Sequence, residues 1–328
     1  GYLPEQILSN DDLARLYPDW PAEKIFSKTG IKERHIADAS QTASDLAFAA
    51  AQKLFFQGVV DVGDIDFIIL CTQAPDYVLP TTACLLQNRL GISRGAGAVD
   101  INLGCSGFVY GLSLAKGLIE SGSAKCVLLL TADTYSKYIN PLDKSVRTLF
   151  GDGATATVIG LNEAGGASIG PFVFGSDGSG GKNLIVEAGG FRSPRSVDSA
   201  QEFMDSSGNI RSLDNLYMDG AEVLTFSLQE VPKAINALLK KMELSKEEVD
   251  HFVLHQANKF MLEALRKKLG VSPEKLPILM EHCGNTVSST IPLALIAMRE
   301  SGKLKVGEKV VLAGFGVGYS WATCFLAY

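Results

Sequence analysis

With 328 residues and 46% hydrophobic content, this chain can bury a large core, either as one big domain or as two fused halves. A net charge of -6 and a pI near 5.4 speak against nucleic acid as the main partner. No apolar run reaches the roughly 18 residues that a membrane span needs, so no membrane association is expected.

Residues 1–35 are mixed, with turns at Leu3-Pro4 and Pro18-Asp19-Trp20-Pro21, and KTGIKERHIA (28–37) reads as a basic loop. The chain opens at Gly1 without a signal peptide, and a further strand is expected ahead of it. Helical periodicity runs from Thr42 to Phe56, followed by an apolar strand at Ile65–Leu70 and a helix from about Thr81 to Arg89. Val99 to Gly122 reads as a strand, a tight turn at Gly104 and a buried helix beginning at Cys105. Cys126–Leu130 is a strand, Tyr135–Arg147 is irregular, and Gly151-Asp152-Gly153 is a turn into the next strand. Glycine and serine dominate from Gly165 to about Asn215, a stretch of connecting strands and loops that is either a cleft cover or a solvated excursion. A long helix follows from Gly220 to Met242, and strand-helix alternation resumes at Val249.

That resumption is an internal repeat. DIDFIIL (64–70) and EVDHFVL (248–254) each lead through a helix to a turn, a second helix ending ESG, and a strand. From Asp66 to Cys105 is 39 positions and to Gly122 is 56; from Asp250 to Asn285 is 35 and to Gly302 is 52. Both intervals shrink by the same four residues, so Cys105 and Asn285 are equivalent, as are Cys71 and His255. Two such halves, 1–164 and 165–328, related by a pseudo-twofold axis, give a duplicated α/β/α/β/α layering.

The repeat predicts that Cys105, His255 and Asn285 meet. A thiol at a helix start sits at the positive end of the dipole, which should lower its pKa and make it a nucleophile. Each residue also has a bland reading, as a packed thiol, a hydrogen-bonded histidine and a turn asparagine. Together they make an acyl-transfer site whose His and Asn donors suit an oxyanion better than proton abstraction. AGFGVGYSW (313–321) precedes a strand-like run rather than a helix, so it reads as a glycine turn with backbone donors, not a dinucleotide loop. His251 and His255 lack a third nearby ligand, and no metal is expected. The six cysteines (Cys71, Cys84, Cys105, Cys126, Cys283 and Cys324) lack CxxC spacing, which argues against zinc and disulfides and for a cytoplasmic setting.

GYLPEQ, TGIKERHIA, GCSGF, LFGDGA, HQAN, GNT and FGVGYSW occur in an order and spacing that resembles β-ketoacyl-acyl carrier protein synthase III, a thiolase-like condensing enzyme, over essentially the whole chain. The resemblance implies a thiolase-like fold, a homodimer, acyl-CoA and acyl carrier protein as thioester substrates, and no metal or redox cofactor. It implies Cys105 as the acyl acceptor, His255 and Asn285 as donors to the malonyl thioester carbonyl, and the N–H groups of Cys105 and Val317 as the oxyanion hole. Phe315 and Gly316 belong to the same turn. The chain departs from the family on the coenzyme side, where Lys24 replaces a stacking Trp and Lys28 and Lys144 replace arginines. Phe260 replaces another Arg, and Leu224 and Thr225 replace an aromatic and a Lys. Leu79 replaces the Phe that limits the acyl pocket, which would admit a longer or branched acyl chain. Arg266, Lys267 and Lys268 form a basic helical face suited to an acidic carrier protein, or a merely solvated one. The alternatives are a specialised acyltransferase passing the acyl group to an amine or hydroxyl, and a non-catalytic partner that binds carrier protein.

Overall fold

The computed structural model describes residues 1–161 and 168–328; the expected boundary between halves, at 164/165, lies outside the described residues. Two four-stranded sheets organise the chain. In the first, Phe67–Cys71 lies between Gly97–Ile101 and Cys126–Asp133, parallel to both, and Gly153–Gly160 closes antiparallel on Cys126–Asp133. In the second, His251–Leu254 is parallel to Lys309–Gly316, and Ser320–Ala327 and then Ser168–Ser176 add antiparallel.

Side chains of alternating parity put one face of each strand on either side. In the first sheet Ile69, Val127 and Leu129 face inward, while Ile68, Leu70, Leu128 and Leu130 pack outward under the helices Ala43–Phe56 and Thr82–Arg89. In the second, Val310 and Leu312 face inward and Val311 and Ala313 outward, under Gly220–Met242 and Lys259–Leu269. The helices Gly107–Glu120 and Thr290–Glu300 fill the layer between the sheets. Five layers result, α/β/α/β/α, because the inner strands of each sheet are apolar on both faces and each face needs a cover. Gly111 lets the central helix close on its sheet, since a Cβ there would stand 2.6 Å from Leu129 Cδ1.

The repeat extends to single hydrogen bonds. Asp66 accepts the N–H groups of Lys125 and Cys126 at 2.7 and 3.0 Å, and Asp250 accepts that of Lys309 at 2.8 Å. The two central helices end alike, on Gly122 at φ 72° and Gly302 at φ 68°. Ahead of the first sheet, KTGIKERHIA is no loop: it holds the end of the helix Ala22–Thr29 and the strand Glu33–Ile36, paired with Gln6–Ser9. Its charges misled because one of them is structural. Arg34 is fully buried, donating from Nη1 to Asn10 Oδ1 at 2.5 Å and from Nε to the Thr148 carbonyl at 3.0 Å. The other expected elements occur within a few residues of their predicted bounds, and Gly220–Met242 matches at both ends, held at its start by Asp219. No helix among the described residues is long and apolar enough to cross a membrane.

Candidate active site

The turn at Cys105 runs out of Gly97–Ile101 and into the helix Gly107–Glu120, so the thiol precedes that helix by two residues. Cys105, His255, Asn285, Phe315 and Gly316 line a single small cavity of about 60 Å³. Leu149, Phe150, Leu184 and Val223 make much of its apolar wall, and Gly220, Asn258 and Met261 line it from the two outer helices. Gly316 lets its strand pass close to the thiol: a Cβ on it would lie 3.0 Å from both Cβ and Sγ of Cys105 and would press on the sulfur. Among the described residues neither Cys105 nor Val317 gives its N–H to a backbone or side-chain oxygen. Val317 lines a second cleft, shared with Tyr77, Val78 and Tyr135.

Asn285 is carried by a junction between the halves. Its N–H donates to the Leu149 carbonyl at 2.9 Å and its own carbonyl accepts from Gly151 at 3.0 Å, so the LFGDG loop of the first half grips the GNT turn of the second. Asp152 clamps that loop by accepting the Ala37 and Ser136 N–H groups. The Asn285 Oδ1 accepts the Val287 N–H at 2.9 Å, which leaves its NH2 as the free end. Val287 adopts φ 56°, a left-handed conformation that costs a β-branched residue about 1–3 kcal/mol. Strain of that kind is tolerated where the surroundings over-determine it.

His255 follows the strand His251–Leu254. Its Nδ1 lies 2.7 Å from Thr290 Oγ1, and its ring meets Phe315 edge-on at 5.6 Å. Burial pushes its pKa down to about 3, so the imidazole is neutral across the physiological range. The thiol moves opposite to expectation. Burial, and then the Asp133 carboxyl, push the Cys105 pKa well up, outweighing the Cys105 N–H that favours the thiolate. Desolvation, which a sequence does not report, outweighs the helix dipole in a closed apolar site. Asp133 is itself raised to about 7 by burial, while it accepts from Gln73 N–H, from Ser288 N–H and from the Ser288 hydroxyl.

The residues expected to bind substrate divide. Phe315 and Gly316 line the cavity; Lys24, Lys28, Leu79, Lys144, Leu224 and Phe260 do not. Lys24 and Lys28 stand over Trp20, with Nζ 5.2 and 4.8 Å from its ring centroid, an aromatic partner that sequence reading overlooked. Leu79 is 79% exposed on a loop with Tyr77 and Val78, and Phe260 is also exposed. Lys144 donates to the Ser207 carbonyl at 2.7 Å, and Leu224 packs into the outer core beside the cavity-lining Val223. On the basic helix Lys267 and Lys268 are exposed, but Arg266 folds back on Glu263 at 2.7 Å and on the Val271 carbonyl.

The family model for 3-oxoacyl-[acyl-carrier-protein] synthase III matches residues 99–178, and that for its C-terminal part matches residues 239–328. A β-ketoacyl-[acyl-carrier-protein] synthase III of Caldanaerobacter subterraneus subsp. tengcongensis is 38% identical over 328 residues, covering 100% of this chain and 96% of that protein. The chain belongs to the β-ketoacyl-acyl carrier protein synthase III family. It is thus a transferase of the condensing-enzyme type with the thiolase fold. The synthase III of Clostridioides difficile is 39% identical over 98% of this chain and 94% of its own. A crystal structure of a 3-oxoacyl-(acyl-carrier-protein) synthase III superposes with a TM-score of 0.97 at 64% identity, covering 100% of this chain and 97% of that one. The Burkholderia xenovorans LB400 3-oxoacyl-(acyl-carrier protein) synthase gives 0.89 at 37%, over 99% and 91%.

Proposed function

We propose that this synthase III starts fatty-acid chains by loading an acyl group on Cys105 and condensing it with malonyl-acyl carrier protein in the same cavity. What carries the reading is that the Cys105 thiol, the neutral His255 imidazole and the Asn285 amide share a space lined mostly by apolar side chains. The Cys105 sulfur bonds to the carbonyl carbon of an acyl-CoA or acyl-carrier-protein thioester; the donor's thiolate leaves and takes up the proton that Cys105 gives up. Malonyl-acyl carrier protein then loses carbon dioxide, and the electron pair of the broken C–C bond becomes an enolate. Donors at His255 and Asn285 stabilise its oxygen, lowering the barrier where the charge develops. The enolate carbon attacks the acyl carbon, the oxyanion rests on the N–H groups of Cys105 and Val317, and Cys105 departs. None of these steps asks for a metal or redox cofactor.

A homodimer is part of the proposal. Gly97–Ile101 is an edge strand of its sheet, and the exposed loop Tyr77-Val78-Leu79 beside it is an apolar surface of the kind a second copy covers. Lys267 and Lys268 are the remaining docking candidates for carrier protein. The substrates are cytoplasmic thioesters, and that compartment is the setting proposed. A specialised pathway is the second reading, favoured by the lysines that replace stacking and bidentate groups. A panel of acyl-CoA and acyl-carrier-protein donors read by intact mass tests all this. An adduct lost in Cys105→Ala, with carbon dioxide released once malonyl-acyl carrier protein is added, is the expected result. An adduct that passes to an amine or hydroxyl without carbon dioxide supports the acyltransferase instead, and no adduct with any donor supports a non-catalytic binding partner.

A further inference from the structure

We infer that the Thr290 hydroxyl is a positioning group that sets which nitrogen of His255 carries its proton, holding Nε2–H toward the cavity. The inference rests on the reading of His255 as a donor to the enolate oxygen. A neutral imidazole has a single N–H, so it donates from Nε2 only when Nδ1 accepts. The group facing Nδ1 is Thr290 Oγ1, at 2.7 Å, and both side chains are buried. A hydroxyl also has a single hydrogen. The other acceptor within its reach is the Val287 carbonyl, at 3.1 Å, so the two contacts compete for that hydrogen.

Two observations favour the histidine. The contact to Nδ1 is the shorter by 0.4 Å (2.7 against 3.1 Å). Thr290 is also the first residue of the helix Thr290–Glu300, and the positive end of a helix favours a lone pair facing it over an N–H. With the hydrogen on the Val287 side, Nδ1 would donate to Thr290 and Nε2 would present a lone pair to a developing negative oxygen, the wrong polarity for the reaction. Val287 therefore serves both donors: its N–H orients the Asn285 amide, and its carbonyl is the alternative that Thr290 must forgo.

Nitrogen-15 NMR of histidine-labelled protein reads the tautomer directly, with His255→Ala identifying the resonance among the four histidines. In the parent protein and in Thr290→Ser, Nδ1 is expected unprotonated and Nε2 protonated. Thr290→Val, close in shape but without the hydrogen, should shift His255 toward a mixture. It should slow carbon dioxide release from malonyl-acyl carrier protein by on the order of 100-fold; acylation of Cys105, followed by mass, should change far less. Thr290→Ser should restore most of the rate. Protonated Nδ1 in the parent protein overturns the inference, and that measurement needs no variant to fold. An unchanged tautomer in a folded Thr290→Val overturns it too. A tautomer that shifts while decarboxylation stays constant upholds the role of Thr290 and removes His255 from the condensation chemistry.

Discussion

The two halves of the chain carry the same turn and spend it differently. At the first strand end stands Cys71 in one half and His255 in the other; at the turn stand Cys105 and Asn285, and two residues further Gly107 and Val287. In the first half the central helix begins at Gly107 and lies directly on the strand end. A Cβ at Gly107 would stand 2.1 Å from Cys71 Sγ, and Cys71 is sealed beneath it with its thiol on the Leu103 carbonyl. In the second half the helix begins only at Thr290, after a short 3-10 turn over Val287–Ser289. The helix starts three residues later there, so that its first residue, Thr290, meets His255 through a hydroxyl, and His255 also lines the cavity. The strands that follow the central helices, Cys126–Asp133 and Lys309–Gly316, differ too, ending on Asp133 in one half and on Gly316 in the other. One half thus brings a thiol to the cavity and buries its strand end beneath a helix, while the other brings an imidazole at its strand end and an amide at its turn.

The largest expected effect comes from removing the residue that only the second half has. His255→Ala should still form the Cys105 acyl adduct, yet lose condensation by about 1,000-fold, as removal of an oxyanion donor does. Intact mass for the adduct and carbon dioxide release for the second half-reaction separate the two. Normal condensation by that variant would make His255 as structural as Cys71 and erase the functional difference between the halves.

Next in size is the first half. Gly107→Ala drives a methyl group into Cys71 Sγ in a fully packed layer, and overpacking of this kind costs about 1–3 kcal/mol. Adding Cys71→Ala should return part of it, since Cys71 Cβ is 3.7 Å away and the nearest remaining atom is then Leu103 Cβ at 3.2 Å. At the equivalent position Val287→Gly relieves strain but gives up a buried side chain, two effects of about 1–3 kcal/mol that oppose each other. Denaturant unfolding of the three variants checks the contrast. Equal losses for Gly107→Ala and Val287→Gly, or no rescue by Cys71→Ala, would mean that the close approach of helix to strand end is not what distinguishes the first half.

Much of this comparison was legible in the residues. The equal four-residue shortfall between repeats aligned Cys105 with Asn285 and Cys71 with His255, and the strand-like run after AGFGVGYSW gave a hairpin (Lys309–Gly316 with Ser320–Ala327) rather than a nucleotide loop. What stayed hidden depends on where side chains end rather than on spacing. Thr290 closes the run VSST with no periodic mark, and the strain at Val287 has no signature in a valine. Arg34 looked solvated because burial of an arginine needs partners from Asn10 and Thr148, remote in sequence. Lys144 and Arg266 looked free to meet a ligand, yet Lys144 is spent on the Ser207 carbonyl, remote in sequence, and Arg266 on Glu263 and the Val271 carbonyl. The thiol followed the same pattern, its shift set by how much water the fold excludes.

That shift gives the smallest effect, and the one with a pH signature. Asp133 ends the strand whose counterpart ends on Gly316, so the first half places a carboxyl near Cys105 where the second places no side chain. Its pKa, raised to about 7, means that the carboxyl is neutral below that pH and charged above it. Only the charged form pushes the thiol up, so Asp133→Asn should leave Cys105 about as reactive as in the parent protein at pH 6. At pH 8 it should make Cys105 more reactive, by less than about tenfold, the factor that one unit of thiol pKa represents. Iodoacetamide alkylation of Cys105, followed by mass across that range, measures the difference. A constant ratio from pH 6 to pH 8 would mean that Asp133 acts on the sulfur through packing alone, and desolvation would then be the whole cause of the raised thiol.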